Sequence, residues 1–204
     1  MSSVTDDVVI ELEGKSSLQI KLKRLVARIE FEFQNGSSQV DGKDENPNFI
    51  PSSYAIYNIP SKANLFSKDN NAMSGLADGD FGKSADISLS SRSFEFFMLE
   101  NVQNVKTTGC DSQAKRETWS GGTMGAPTLP EDKNFTYAPD YGTFVVVKGS
   151  YTGTSYIGDV SYTIHLGNFS EKTNTANGKD FSNFKVNRNE RQIYKVTVNG
   201  VRSI

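Results

Sequence analysis

The chain has 204 residues, a net charge of −2, one cysteine and one histidine. This length supports a hydrophobic core without cross-links, and a single cysteine excludes an intrachain disulfide or a thiolate metal cluster. The balanced charge argues against the basic surface of a general nucleic-acid binder, so no nucleic-acid partner is predicted.

The first residues, 1–7, contain neither the basic nor the apolar region of a signal peptide. The chain is therefore predicted to be either cytoplasmic or an expressed piece of an exported protein. Strand-like sequence begins almost at once, at Val8, and this favours the second alternative.

Apolar residues at every second position predict strands from the start of the chain. Residues 8–12 and 18–22 alternate on either side of a turn-like segment, so residues 1–22 are predicted to form a hairpin or extension. The apolar positions change phase at residues 23–25, which requires a bend, a bulge or a change of sheet. A single β-sandwich domain is predicted over residues 23–204, beginning with a strand whose odd-numbered residues are apolar up to Phe33.

Two further strands are predicted in the first half of the chain. Residues 36–50 are polar and predict a loop, and residues 54–59 predict a strand that Pro60 ends. Residues 67–85 are rich in Gly, Asp, Asn and Ser and predict another loop. Residues 94–99 are apolar on nearly both faces, which predicts a central strand.

The second half begins with an irregular segment, residues 103–142, which predicts a functional or mobile insertion rather than core. Strands are predicted at residues 143–148, 160–166 and 194–198. About seven to nine strands joined by turns and long polar loops predict an all-β, antiparallel β-sandwich. The side chains expected to interlock between its sheets are Phe31, Phe33, Phe96, Val146, Ile164 and Val196.

Residues 77–86 contain two patterns that point to ligands. Residues 77–84 fit a relaxed phosphate-binding loop, but strand-like sequence follows where a helix is needed, so an ordinary loop is favoured. Asp78, Asp80 and Asp86 are weak calcium candidates, because oxygen ligands at alternating positions can hold that ion. The closing glutamate of an EF-hand is absent, which favours a solvated acidic loop. No metal or other cofactor is predicted.

The single histidine and the single cysteine are both predicted to be incidental. His165 occupies the polar face of its strand, which favours an exposed residue over a general base. Cys110 lies in a polar loop with no basic residue nearer in sequence than Lys106, which favours an unreactive thiol. The chain is therefore predicted not to be an enzyme.

Aromatic residues of the 103–142 loop are the candidates for binding. Trp119, Tyr137 and Tyr141 could stack on sugar rings or anchor a partner. The alternative is that these rings fold back and cover the sandwich.

Three stretches of the chain carry short sequence motifs. They read LKRLVARIE at 22–30; YNIP at 57–60 with FMLEN at 97–101; and YTIHLG at 162–167 with DFSNFKVNRN at 180–189 and YKVTVNGV at 194–201. Together these stretches resemble the fimbrillin-like proteins of Bacteroidetes, the subunits of type V pili and their relatives.

The resemblance implies a transthyretin-like β-sandwich that is exported as a lipoprotein and displayed on the outer membrane, reaching the membrane only through its lipid anchor. Family members usually have two such domains, so the chain is expected to be the N-terminal domain of a larger protein. The implied partners are other pilus subunits or copies of itself, joined by addition of a β-strand, and a host protein or glycan.

The resemblance also implies that a trypsin-like protease cuts after a basic residue near the first strand. The candidate cut points are Lys21, Lys23, Arg24 and Arg28, although Arg28 lies inside a predicted core strand. Residues 8–22 would then be a removable or exchangeable element. The predicted function is a non-enzymatic fimbrial or adhesin-type subunit of the cell surface, and the alternative is a glycan-binding module that uses the 103–142 loop.

Overall fold

The computed structural model describes residues 24–36, 46–63, 76, 78–119, 135–154, 156–168 and 180–201. Nearly all regular structure in these residues is β-strand. The nine strands are β1 Val26–Asn35, β2 Asn48–Tyr57, β3 Ile59–Pro60, β4 Phe81–Gly82, β5 Ile87–Ser88, β6 Ser93–Leu99, β7 Phe144–Thr152, β8 Ile157–His165 and β9 Arg191–Val198. One helical turn, α1, spans Gln113–Arg116, and a 3₁₀ turn spans Asp78–Asp80. The predicted hairpin of residues 1–22 lies outside the described residues.

The strands form two main sheets that pack face to face. One has three strands in the order β6-β1-β9, the other has four in the order β5-β2-β7-β8, and β3 pairs with β4. Aromatic rings join the main sheets, as where Tyr54 stacks on Phe94 with ring centroids 4.0 Å apart. The predicted all-β sandwich is therefore confirmed. Of the pairs in the described residues, β1 with β9 is parallel and the others are antiparallel.

Strand β1 supplies the centre of the three-stranded sheet and confirms the predicted alternation. Its polar side chains face outward, and four alternate side chains enter the main core with at most 5% of their surface exposed. These are Ala27, Ile29, Phe31 and Phe33. The strand begins at Val26, directly after the predicted change of phase at residues 23–25.

Strand β2 differs from the predicted strand at 54–59 at both ends. It begins at Asn48, inside the predicted 36–50 loop. Its register shifts between Pro51 and Ser53, and this bulge lets both Phe49 and Tyr54 face the main core. The odd spacing of the two aromatic residues concealed the first half of the strand from a period-two pattern.

The bulge in β2 depends on a glycine in the neighbouring strand. Gly149 of β7 lies opposite Pro51. A Cβ atom added to Gly149 would lie 2.3 Å from a main-chain oxygen of β2 and 2.7 Å from the Phe49 ring. Only glycine permits this close approach of the two backbones.

Among the described strands, the apolar run at 94–99 lies at the edge of its sheet, which differs from the predicted central position. β6 pairs with β1 on one side and, among the described strands, with none on the other. Phe97 points outward with 56% of its surface exposed. Phe94 and Phe96 point inward but are only partly buried at the rim of the main core.

The strand buried on both faces is β7. Val145 and Val147 face the main core, whereas Phe144 and Val146 enter a second cluster on the other side of the four-stranded sheet. The prediction that Val146 lies between the two sheets is therefore wrong.

The second cluster is built largely from the segment predicted to be an insertion. Its buried members are Ala55, Tyr57, Cys110, Phe135, Ala138, Phe144, Val146 and Phe184. The described parts of the 103–142 segment, residues 103–119 and 135–142, thus contribute to a core and cover one face of the sheet. The other residues predicted to interlock lie in the main core, with Phe96 partly buried against it.

Candidate functional site

The acidic residues of segment 77–86 are held apart by separate ion pairs. Asp80 lies 2.5 Å from Lys62 Nζ, and Asp86 lies 2.8 Å from Lys148 Nζ. The hydrogen bond from Lys148 holds the pKa of Asp86 below its ordinary value. The side chain of Asp78 lies outside the described residues. In the described part of the chain, no three His, Cys, Asp or Glu side chains are grouped so as to hold a metal ion.

The loop that fits the phosphate-binding pattern leads into strand β5. No helix follows Ser84 within the described residues 84–92, so the helix N-terminus that such a loop requires is not present there. Lys83 instead places Nζ 4.5 Å from the centre of the Tyr57 ring.

The three aromatic binding candidates lie against the sandwich, each partly exposed. The Trp119 ring meets Phe135 edge-on, with centroids 5.0 Å apart, and Tyr137 also packs on the second cluster. Tyr141 stacks on Phe81 of β4 at 4.7 Å. This packing corresponds to the alternative in which the rings cover the sandwich. Binding through their exposed parts stays a prediction.

His165 is completely buried, so the prediction of an exposed strand residue is wrong. The second cluster covers the face of β8 on which His165 lies, and the Phe135 ring packs edge-on at 4.4 Å. Glu117 holds the residue at two points: Oε1 accepts from the His165 main-chain N–H at 2.8 Å, and Oε2 lies 2.5 Å from Nδ1. Nε2 is buried without a hydrogen-bond partner in the described residues.

Cys110 is also buried, with 7% of its surface exposed. Its Sγ lies 3.3 Å from the main-chain oxygen of Phe181, which accepts a hydrogen bond from the thiol. Burial raises the pKa of the Cys110 thiol. The protonated form is therefore favoured, as expected for the incidental thiol that the sequence predicts.

Arg116 is a fully buried arginine that the sequence analysis did not identify. Nη1 donates to the main-chain oxygens of Phe181 and Asn183, at 2.5 and 2.9 Å. Nη2 donates to those of His165 and Leu166, at 3.3 and 3.0 Å. These bonds tie α1 to the end of β8 and to residues 181–183. Burial lowers the pKa of Arg116.

Residues of the second and third motif stretches meet in a largely buried polar junction. Arg188 Nε donates to Glu100 Oε2 at 2.7 Å. Asn101 Nδ2 donates to Thr143 Oγ1 at 2.7 Å, and Thr143 Oγ1 in turn donates to the Asn58 main-chain oxygen at 2.8 Å. The YNIP, FMLEN and VNRN segments thus act together as a structural tie.

Charged side chains cover the outer face of the three-stranded sheet. Arg28 contacts both Glu30, at 3.0 Å, and Glu95, and Arg191 donates to Glu30 at 2.6 Å. The hydrogen bond from Arg191 holds the pKa of Glu30 below its ordinary value. Arg28, a candidate cut point, therefore lies within a paired strand. Arg24 lies just before β1 and is exposed.

The edge of β6 carries main-chain groups that can receive another strand. Phe33 N donates to Arg92 O at 2.8 Å, and hydrogen-bonded pairs recur at every second residue of an antiparallel ladder. Phe94 and Phe96 therefore direct their main-chain groups toward β1. The N–H and C=O of Glu95 and Phe97 point away from it. We call these outward groups, with the side chains of residues 93–99, the β6 edge.

Comparisons with known proteins find similarity among solved structures and none among protein families or curated proteins. No protein-family model and no curated protein matches the chain. A crystal structure of a candidate cell adhesion protein from Parabacteroides distasonis is similar, at 18% identity and a TM-score of 0.43. The similarity covers 86% of this chain and 45% of that protein, so the chain spans less than half of its length. Both helical elements in the described residues are single turns, too short to cross a membrane.

Proposed function

We propose that the protein is a non-enzymatic structural or adhesive subunit of the cell surface that assembles by β-strand addition. The observation that carries this proposal is the β6 edge, where the main-chain groups of Glu95 and Phe97 point outward beside partly buried Phe94 and Phe96. An added strand would form hydrogen bonds with the main-chain groups of Glu95 and Phe97, and it would cover the side chains of Phe94 and Phe96. Main-chain bonding along a whole strand gives slow dissociation, and alternate side chains give specificity.

Proteolytic processing of the subunit would occur after Arg24 rather than Arg28. Arg24 is exposed and precedes the first strand. Arg28 is paired with Phe97 of β6 and with Arg191 of β9, and a protease needs an extended chain that is free of such pairing. Brief digestion of the native protein with trypsin should therefore cut after Arg24 and spare Arg28, as read by intact-mass spectrometry.

Antibody labelling of intact cells that carry the natural gene tests the cellular part of the proposal. We expect labelling before permeabilisation, and weaker attachment of cells to surfaces when the gene is deleted. Labelling that requires permeabilisation would contradict display on the surface.

A glycan-binding module is the second candidate, because Trp119 and Tyr137 keep part of their rings exposed on the second cluster. Trp119 is the only tryptophan of the chain, so its fluorescence reports binding near it without interference. Saturable quenching of the wild type by one class of glycan would favour this function, if calorimetry then shows that the binding is lost in Trp119→Ala and kept in Tyr141→Ala. Unchanged Trp119 fluorescence across a panel of glycans would exclude glycan binding at this loop.

A further inference from the structure

We infer that the strand received at the β6 edge is β6 of a second copy of this chain, which rests on the proposed function of strand addition. The two strands run antiparallel about a two-fold axis at Phe97. The three-stranded sheets of the two copies then form one continuous sheet of six strands.

Apart from Glu95, strand β6 lacks the features that protect edge strands from self-association. Its sequence, SFEFFML, contains no lysine and no proline, and its pairing with β1 is continuous over the whole strand without a bulge. Natural edge strands are commonly protected by such residues or by a bulge. Phe97 adds an exposed aromatic ring at the middle of the outward face.

The distribution of charge selects the register of the pair. With the axis at Phe97, each Phe97 faces the partner's Phe97 and each Glu95 faces the partner's Leu99. The two glutamates are then offset by four residues, about 13 Å along the strands. An axis at Glu95 would place the two carboxylates opposite each other, and an axis at Phe96 would place them about 7 Å apart.

Glu95 enters this interface with its charge already partnered. Arg28 of the same copy binds its carboxylate through Nε, at 3.1 Å, and through Nη2. Covering Glu95 therefore does not isolate a negative charge, which would oppose association.

The opposite edge of the same sheet provides a contrast. On β9, Ile193 is 45% exposed, but Arg191 and Lys195 flank it on the same outward face. Antiparallel self-pairing centred on Ile193 would set each arginine against the partner's lysine. Glu30 partners Arg191 within its own copy, but the like charges that would meet across the axis still disfavour that pairing, so the β6 edge is the more self-complementary of the two.

Sedimentation equilibrium of the full chain tests the pairing. The wild type should form a dimer that dissociates on dilution. Phe97→Lys should weaken the dimer at least about tenfold, because two ammonium groups would meet at the axis. Ile193→Lys is the matched control, since it adds the same charge on the same face at the other edge, and it should leave the dimer unchanged. Equal weakening by both variants, or a wild-type monomer at every concentration, would overturn the inference.

A spin-label distance tests the register. In a Cys110→Ser background, nitroxides on Ser93→Cys should lie about 27 Å apart in the dimer, since each label is four residues from the axis. An axis at Phe96 would bring them to about 20 Å and would overturn the stated register.

Hydrogen exchange separates failure of this inference from failure of the proposed function. The amides of Glu95 and Phe97 should become protected as the protein concentration rises. Protection that persists in the dilute monomer would mean that the same chain covers the edge, and self-pairing would be excluded. If a synthetic peptide of residues 8–22 protects both amides while the protein stays monomeric, strand addition stands and self-pairing fails. If neither the peptide nor concentration protects them, both proposals fail.

Discussion

Strands β6 and β7 each contain an apolar run, but the two strands have opposite environments. The sequence of β6 is SFEFFML and that of β7 is FVVVKGSYT, whose first four residues are apolar. β7 lies inside its sheet and is buried on both faces at its first four residues. β6 lies at an edge with Phe97 exposed.

The difference lies in what covers the second face of each strand. The outer face of β7 is covered by a distant segment, through Cys110, Phe135 and Ala138. The outer face of β1 beside β6 carries Arg28 and Glu30 and lies at the surface. An apolar run therefore indicates that a strand carries side chains that favour burial. Whether its second face is buried depends on which other segment of the chain packs over it.

Removing the arginine that fastens the cover of β7 should produce the largest effect. Arg116→Met would leave four main-chain oxygens without their donor, so we expect the free energy of unfolding to fall by about 4 kcal/mol or more, at roughly 1 kcal/mol for each. Urea unfolding followed by circular dichroism measures this. Lys115→Met, in the same helical turn, removes a surface ion pair with Asp111 and should change stability by less than about 1 kcal/mol. Equal losses would contradict the role of Arg116 as a tie.

Truncating one phenylalanine in each strand tests the comparison directly. Phe144→Ala opens a cavity between β7 and its cover and should cost about 3–5 kcal/mol. Phe97→Ala, at the β6 edge, should change the stability of the monomer by about 0.5 kcal/mol or less. Thermal unfolding of both variants at low concentration compares them. Similar melting temperatures would show that Phe97 is covered in solution.

The charged outer face of the three-stranded sheet should contribute a part of the stability that depends on pH. Because the hydrogen bond from Arg191 lowers the pKa of Glu30 in the folded state, Glu30 stabilises the fold above its unfolded pKa of about 4.3. That contribution is lost as the pH falls through the lower, folded value. Glu30→Gln should therefore be slightly less stable than wild type at pH 7, with the difference vanishing in acid. If the stability difference between the variant and the wild type persists at pH 2, it arises from packing and not from the charge of Glu30.

Much of the sandwich could be predicted from the period-two pattern, because strands such as β1 and β9 bury one face and expose the other to water. The pattern located β1 and β9 well, since their outer faces carry charges such as Arg28 and Lys195. It failed at β2, where the bulge after Pro51 changes the phase.

The pattern also failed wherever the outer face of a strand is covered. His165 looked exposed because its strand alternates, yet Glu117 and Phe135 lie over it. Arg116 gave no local signal, since its partners are main-chain oxygens 49 to 67 residues away. The β6 edge, in turn, depends on which strands are neighbours, and composition does not specify sheet order.

The parallel pairing of β1 with β9 has a mechanical consequence. The two strands are aligned from Arg28 opposite Arg191 to Asn35 opposite Val198, so the start of β1 and the finish of β9 lie at opposite ends of the pair. Tension applied at these two points acts along the ladder, and its hydrogen bonds share the load in shear. The hydrogen bonds between β1 and β9 therefore cannot break one at a time. When the protein is pulled in this direction, the backbone at the centre of the three-stranded sheet resists extension.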